Sequence, residues 1–197
     1  MKKVRTAVLI SGRGSNMMAL VDAARDTDYP ATIVGVISNC PGAAGLGFAA
    51  AQGIPAETID HRAFTSREAF EAALDAKLKA LGAEIVALAG FMRVLTAGFI
   101  ERWQGRILNI HPSLLPLYKG LDTHARALAD GATRHGCSVH LVTPELDGGP
   151  VLLQAEVPVL AGDTPKTLAA RVLVEEHRLY PKALALLARR LQSEETP

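Results

Sequence analysis

The sequence predicts an α/β protein whose sheet is mainly parallel, with antiparallel strands toward the C-terminal half. Three observations predict this fold class. Short apolar segments typical of buried strands alternate with segments in which apolar residues recur at the helical period. The first strand runs directly into a glycine-rich turn and a helix, as in a β-α-β unit. The last two predicted strands are joined by too few residues for a crossover helix, so we expect them to be antiparallel.

The first half of the chain alternates strands and helices, which predicts parallel pairing through right-handed crossovers. Residues 4–10 are rich in apolar and β-branched side chains, as in a buried strand. The clearest helix spans 67–81, where Phe70, Leu74 and Leu78 follow the helical period. We expect strands at 4–10, 31–38, 54–59 and 84–89, and helices at 17–25, 45–52 and 67–81.

In the second half, residues 137–143 alternate polar and apolar side chains, as in a strand with one covered face. Gly131 should end a short helix, because glycine readily adopts the left-handed conformation there. Pro181 should kink or split the final helix, since proline lacks an N–H group and its ring clashes with the preceding turn. We expect strands at 106–110, 137–143 and 151–159, and helices at 98–103, 123–130 and 167–191.

Length and composition indicate one globular domain. The chain has 197 residues, of which 49% are hydrophobic, and this is long enough to bury a full core. A net charge of +1 with scattered basic residues predicts no nucleic-acid surface. No segment approaches a membrane-spanning length. Cys40 and Cys137 lack metal-ligand spacing, so we expect a reduced, cytoplasmic protein without a metal.

The turn Ser11-Gly-Arg-Gly-Ser-Asn16 links the first strand to the first helix. Its glycines would let backbone N–H groups face an anion at the positive end of the helix. Ser15 and Asn16 add side-chain donors and could cap that helix. The turn is not a dinucleotide fingerprint, because Met17 takes the place of the third glycine, and it lacks the Lys-Ser/Thr of a P-loop. We interpret it as a site for a single phosphate group; the alternative is an ordinary tight turn.

The segment 106–116 begins as a strand and ends as a loop that contains two prolines. Asn109 and His111 lie two residues apart, so on an extended chain their side chains point the same way. An amide and an imidazole side by side at a strand end could form a small catalytic site. The alternative is a strand end at which two polar groups cap a turn.

A second loop, Leu-Asp-Gly-Gly-Pro, begins near Asp147. This aspartate would meet His111 if both strands end on the same side of the sheet, and a carboxylate near an imidazole favours the protonated ring. A local hydrogen bond within a turn is the alternative role for Asp147.

The remaining histidines divide into two groups. His140 lies inside a predicted strand and is either a second site imidazole or a core histidine. We interpret His124, near a helix start, as structural, and His61 and His135 as surface residues.

Together these motifs resemble the phosphoribosylglycinamide formyltransferases, folate-dependent enzymes of purine synthesis within the formyl-folate superfamily. The resemblance runs from about Val4 to about Leu187. It is carried by Ile-Ser-Gly-Arg-Gly-Ser-Asn, Leu-Ala-Gly-Phe-Met-Arg, Asn-Ile-His-Pro-Ser-Leu-Leu-Pro, Gly-Leu-Asp-Thr-His, Gly-Cys-Ser-Val-His and Leu-Asp-Gly-Gly-Pro. The Asn-x-His segment marks the superfamily, whereas the phosphate turn and Gly-Leu-Asp-Thr-His narrow it to this member.

This resemblance implies a Rossmann-like three-layer fold in one formyltransferase domain, 1–197. Residues 1–105 would form the phosphate/nucleotide-binding half and 106–197 the catalytic and folate-binding half. The implied partners are small molecules, with neither nucleic acid nor membrane, and both a monomer and a homodimer remain open.

The resemblance also implies roles for individual residues. The catalytic residues would be Asn109, His111 and Asp147. The ribonucleotide phosphate would contact Gly14, Ser15 and Asn16, and the ribose hydroxyls would contact Glu176. The folate site would contain Arg67, Met92, Arg93, Val94, Leu95, Asn109 and Val142.

The implied reaction transfers the formyl group of 10-formyltetrahydrofolate, a co-substrate, to the amine of glycinamide ribonucleotide. Asn109 and His111 would stabilise the oxyanion, and Asp147 would assist proton transfer. A formyltetrahydrofolate hydrolase would use the same three side chains with water as nucleophile. A non-catalytic nucleotide-phosphate binding protein would explain the glycine turn but not the three polar side chains together.

Overall fold

The computed structural model describes residues 2–194, whose strands form one seven-stranded sheet. The strands are β1 (Val4–Ile10), β2 (Ala31–Ser38), β3 (Ala56–Thr58), β4 (Ile85–Leu88), β5 (Ile107–His111), β6 (Arg134–Leu141) and β7 (Val151–Pro158). Their order across the sheet is β3-β2-β1-β4-β5-β6-β7. Strands β1 to β5 pair in parallel, whereas β6 is antiparallel to both β5 and β7. The predicted fold class is therefore confirmed.

Helices cover both faces of this sheet. They are α1 (Ser15–Ala23), α2 (Ala44–Ala51), α3 (Arg67–Ala80), α4 (Ala97–Arg102), α5 (Thr123–Ala129) and α6 (Pro165–Glu194), with a short 3-10 turn at His61–Ala63. Alternate residues of β1 point to opposite faces: Val8 and Ile10 pack in a core with α1, α2 and α6, whereas Ala7 and Leu9 pack with α3 and α4. Because the strand is covered on both sides, its sequence is almost continuously apolar.

Of the two outcomes predicted for Pro181, a kink or a split, the structure excludes the split. Helix α6 runs unbroken through 30 residues, and its buried side chains lie on both sides of Pro181, including Val172, Tyr180 and Leu187. This apolar face packs along the sheet, so the burial of a long face outweighs the local cost of one proline. The hydroxyl of the fully buried Tyr180 donates to the carbonyls of Leu88 and Leu108, at 2.9 and 3.2 Å, which fixes α6 to β4 and β5.

The strands whose boundaries differ most from the prediction are β3 and β6. Strand β3 has three residues instead of six, because only Ala56–Thr58 pairs with β2 at the sheet edge. Strand β6 begins at Arg134 and not at 137, because the antiparallel pairing with β7 extends to Pro158. No helix in the described part of the chain is both long and apolar enough to cross a membrane.

Candidate active site

Two adjoining cavities lie at the carboxyl ends of β1, β4 and β5. The smaller, of about 250 Å³, is formed by the glycine turn and the start of α1. The larger, of about 750 Å³, is enclosed by the loops that follow β4, β5 and β6. Asn16, Gly90 and Met92 line both cavities, so a ligand in one would touch the wall of the other. In a parallel sheet this edge is the usual place for a binding site, because the connecting loops converge there.

His111 and Asp147 come together in the larger cavity. The Nδ1 atom of His111 lies 3.5 Å from Asp147 Oδ2, and both side chains are more than nine-tenths buried. The opposite nitrogen, Nε2, lies 2.9 Å from the carbonyl oxygen of Tyr118. Because a carbonyl only accepts, Nε2 carries a hydrogen and Nδ1 is the atom that faces the carboxylate.

Asp147 is held in its place by the backbone. It adopts a left-handed conformation with φ of 47°, which is uncommon for a residue with a side chain. Its Oδ2 accepts a 2.9 Å hydrogen bond from the N–H of Gly120. A Cβ added at Gly149 would lie 1.8 Å from the carbonyl oxygen of Leu141, so the following loop requires a glycine there. The Gly-Gly-Pro sequence therefore fixes the direction in which Asp147 points.

The surroundings favour the ionised form of Asp147. Burial by itself would raise the pKa of this carboxyl group. The contact with His140, the N–H of Gly120 and the nearby His111 outweigh burial, so the pKa lies below its ordinary value. Asp147 is therefore a carboxylate at neutral pH.

Asn109 and His140 complete the polar cluster. They stand directly opposite each other in the antiparallel pair β5–β6, and Asn109 Nδ2 lies 3.1 Å from His140 Nε2, within hydrogen-bond distance. His140 Nδ1 donates to the carbonyl of Leu141, and His140 Nε2 also lies 3.6 Å from Asp147 Oδ1. His140 is 2% exposed, so it is buried and also part of the site. We call Asn109, His111, His140 and Asp147 the polar cluster.

The glycine turn presents a free helix terminus. Gly14, with φ of 70°, is the N-cap of α1, and the first turn contains no acidic side chain. The prediction that Ser15 or Asn16 caps the helix is wrong, because both lie inside it and no side chain caps it. The first N–H groups of α1 are therefore available to an anion in the smaller cavity.

Asn16 and Glu176 meet although 160 positions separate them in sequence. Asn16 Nδ2 donates to Glu176 Oε2 over 2.6 Å. Burial raises the pKa of Glu176, and the hydrogen bond from Asn16 acts in the opposite direction. Asn16 Oδ1 is buried and has no hydrogen-bond partner among the described residues, so it remains an acceptor at the junction of the two cavities.

Most of the residues predicted for a folate site line the larger cavity, whereas one does not. The lining includes Met92, Arg93, Val94, Leu95 and Val142. Met92 and Val94 are 69% and 57% exposed, so they offer apolar surface to a ligand. Arg67 begins α3 on the surface and lies outside the residues that line the cavity.

The loop after β5 contributes features that the sequence did not reveal. Tyr118 acts through its backbone carbonyl, and Gly120 through its N–H, so no side-chain pattern could have identified either. Asp122, with φ of 56°, is the N-cap of α5 and lines the cavity beside His124. The motif Gly-Leu-Asp-Thr-His, whose five residues all line the larger cavity, was the signal available for this loop.

The prediction that His135 lies on the surface is wrong. Since β6 begins at Arg134, His135 is a strand residue and is only 1% exposed. Its Nε2 atom lies 3.1 Å from His124 Nδ1. Burial lowers the pKa of His135 to about 4, and His124 adds to this effect. Within residues 2–194 no group of three or more His, Cys, Asp or Glu side chains is arranged to hold a metal ion.

Comparison with known proteins identifies the family. The sequence profile of the formyl transferases matches residues 4–184. This chain belongs to that family. The resemblance predicted from the motifs is thereby confirmed.

Relatives and solved structures agree over nearly the whole chain. The phosphoribosylglycinamide formyltransferase of Escherichia coli is 49% identical over 92% of this chain and 85% of that protein. The crystal structure of the phosphoribosylglycinamide formyltransferase from Brucella melitensis is 54% identical, with a TM-score of 0.91 over 95% of this chain and 96% of that one. The trifunctional purine biosynthetic protein adenosine-3 of Bos taurus is 49% identical over 95% of this chain. The chain spans only 18% of the length of that relative.

Proposed function

We propose that this chain transfers the formyl group of 10-formyltetrahydrofolate to the amine of glycinamide ribonucleotide, in the purine pathway of its relatives. The observation that carries the proposal is the junction of the two cavities. A helix terminus suited to one phosphate opens directly into a larger cavity that contains the polar cluster. Membership of the formyl transferase family supports a formyl group as the transferred unit.

The ribonucleotide fits the smaller cavity and the junction. Its phosphate would accept hydrogen bonds from the free N–H groups at the start of α1, near Gly14 and Ser15. Its ribose hydroxyls would donate to Glu176 and to the unpartnered Oδ1 of Asn16. Asn16 lines both cavities and Glu176 lines the larger one, so the amine would extend toward the polar cluster.

The folate fits the larger cavity, whose size is typical of small-molecule sites. The loop 90–95 and Val142 supply an apolar wall for the pterin ring. Asn109 stands at the same wall and would be near the formyl group carried on N10. Holding the amine and the formyl carbon together would lower the barrier by on the order of 7 kcal/mol in a favourable case.

The chemistry begins when the amine attacks the formyl carbon and the carbonyl oxygen gains negative charge. The Asn109 amide and the Nδ1–H of a protonated His111 would donate to this oxygen, and each such donor can contribute roughly 3–4 kcal/mol. Nδ1 is the available nitrogen because Nε2 is committed to the Tyr118 carbonyl. Nδ1 lies 3.5 Å from Asp147 Oδ2, too far for a short hydrogen bond, which would leave the Nδ1–H free for substrate.

Proton transfer completes the reaction. The attacking amine must lose a proton, and N10 of the folate must gain one as the C–N bond breaks. Asp147 is ionised and reaches both His111 and His140, so it would accept the proton from the amine and the cluster would return it to N10 through water. His140 would hold the Asn109 amide in position throughout.

A formyl-transfer assay tests this proposal. The purified chain is given 10-formyltetrahydrofolate with and without glycinamide ribonucleotide, and tetrahydrofolate is measured. Release that requires the ribonucleotide is the expected result. Release without the ribonucleotide would indicate a hydrolase, and phosphate-dependent binding of the ribonucleotide without any release would indicate a non-catalytic binding protein.

A further inference from the structure

Ser11 is the first residue of the glycine turn, yet its hydroxyl group connects that turn to the opposite wall of the site. It donates a 2.5 Å hydrogen bond to Asn39 Oδ1, at the end of β2. It also accepts a 2.8 Å hydrogen bond from the backbone N–H of Met92, in the loop after β4. The same oxygen therefore joins the phosphate turn to the loop 90–95.

The direction of this hydroxyl group is fixed. A serine hydroxyl has one hydrogen, and here it is committed to Asn39, whose side chain is only 3% exposed. Asn39 is in turn held by His61, whose Nδ1 lies 2.9 Å from the Asn39 carbonyl. A lone pair of the Ser11 oxygen therefore faces the N–H of Met92. The hydroxyl group cannot rotate away unless its hydrogen bond to Asn39 breaks.

Few hydrogen bonds hold the loop 90–95, although Leu95 is buried in the core and the Arg93 guanidinium lies 5.9 Å from the centre of the Phe70 ring. On one side, Ala89 N–H bonds to Leu9 at the end of β1, and on the other side, Thr96 N–H donates to Glu71 over 2.7 Å. Between these two anchors, the contact with Ser11 is the one hydrogen bond that residues 90–95 make with the rest of the described chain. The side chains of Met92 and Val94 are more than half exposed, so packing fixes them weakly.

We propose that Ser11 is a positioning residue for the folate cavity. It acts through Met92, although Ser11 itself belongs to the turn that would bind the phosphate. This inference rests on the proposed function, since it assigns the loop 90–95 to the folate. A loop that is already ordered pays less conformational entropy when it binds a ligand. Loss of the Ser11 hydroxyl group should therefore weaken folate binding and leave ribonucleotide binding nearly unchanged.

The test compares Ser11→Ala with Ser15→Ala, two serine-to-alanine changes in the same turn. Ser11→Ala should raise the KM for 10-formyltetrahydrofolate about fivefold, the effect of one net hydrogen bond, and should change the KM for the ribonucleotide less than about twofold. Ser15→Ala should do the reverse. Ser11→Thr, which keeps a hydroxyl group, should restore the KM for the folate.

A matched control separates positioning from general loss of stability. Ser11→Ala leaves a buried acceptor on Asn39 unpaired, so it should also lower the melting temperature. Ser66 caps α3 away from the cavities, with its hydroxyl accepting from Ala69 N–H, so Ser66→Ala should lower the melting temperature and leave both KM values unchanged. If Ser11→Ala does not fold, Ser11→Cys, of nearly equal size and weaker hydrogen bonding, takes its place.

The inference is overturned if Ser11→Ala leaves the KM for the folate unchanged, or raises both KM values equally. Titration with tetrahydrofolate tests the role of Ser11 separately from the proposed function. A wild-type chain that binds tetrahydrofolate but transfers no formyl group would contradict the proposed function, and Ser11 would still be tested by the loss of tetrahydrofolate affinity in Ser11→Ala. A wild-type chain that does not bind tetrahydrofolate would overturn both.

Discussion

The glycine turn and the polar cluster are built in different ways. The turn occupies six consecutive residues, 11–16, and offers backbone N–H groups at a helix start. The polar cluster draws its four side chains from β5, β6 and the loop after β6. In the turn, backbone N–H groups supply most of the donors, so the turn depends less on any single side chain. In the cluster, each group orients or charges another, so the loss of one disturbs all of them.

This difference leads to four predictions, of which Asp147→Asn should have the largest effect. The change removes the negative charge but keeps an oxygen that can accept from the Gly120 N–H, so the fold should persist. The kcat should fall by about 10²–10⁴-fold, as expected for the loss of a general base. Steady-state kinetics, with the melting temperature as a check on folding, measure the effect. Near-normal turnover would show that Asp147 has no role in the mechanism.

Asn109→Ala should have the second largest effect. It removes one oxyanion donor and the group that faces His140 Nε2. The kcat should fall by about 10²–10³-fold, while the KM for the ribonucleotide changes little. If the KM for the ribonucleotide rises and kcat is retained, Asn109 acts in ground-state binding and not on the developing charge.

Strand β6, which carries both His140 and His135, should also make stability depend on pH. The pKa of His135 is lowered from its usual 6.5 to about 4 in the folded chain. Between pH 4 and pH 6.5, His135 is protonated in the unfolded chain but neutral in the folded chain. The free energy of unfolding therefore has its full value above about pH 6.5 and falls as the pH drops toward 4, by up to about 3 kcal/mol. Urea unfolding at several pH values measures this loss, and His135→Gln should reduce it. An unchanged slope in that variant would assign the pH dependence to other groups.

The smallest effect is expected in the turn itself. Arg13 is exposed at the smaller cavity and forms no hydrogen bond or ion pair with the described residues, so its charge is available to a phosphate. Arg13→Gln should raise the KM for the ribonucleotide by about three- to fivefold at low salt and less at high salt, because an exposed charge is screened. Arg25→Gln removes the same charge beyond the far end of α1 and should leave this KM unchanged. Equal effects of the two changes would mean that the net charge of the protein, and not a local contact of Arg13, determines the KM for the ribonucleotide.

Local sequence determined much of this protein. Hydrophobic periodicity placed the strands and most helices, because the side-chain direction repeats within each element whatever surrounds it. The glycine turn could be recognised as a unit for the same reason, since all of its parts are neighbours in the chain. Asn109 and His111 could be placed side by side because both lie on one short strand.

Only the tertiary structure decided which distant groups meet. The register of β5 against β6 sets His140 opposite Asn109, and a one-residue slip would have turned it to the other face. The packing of α6 on the sheet carries Glu176 to Asn16 and keeps the helix continuous through Pro181. The 3.5 Å approach of Asp147 to His111 likewise depends on two loops at one sheet edge. Such contacts join residues far apart in sequence, so the pattern within any single segment leaves them undetermined.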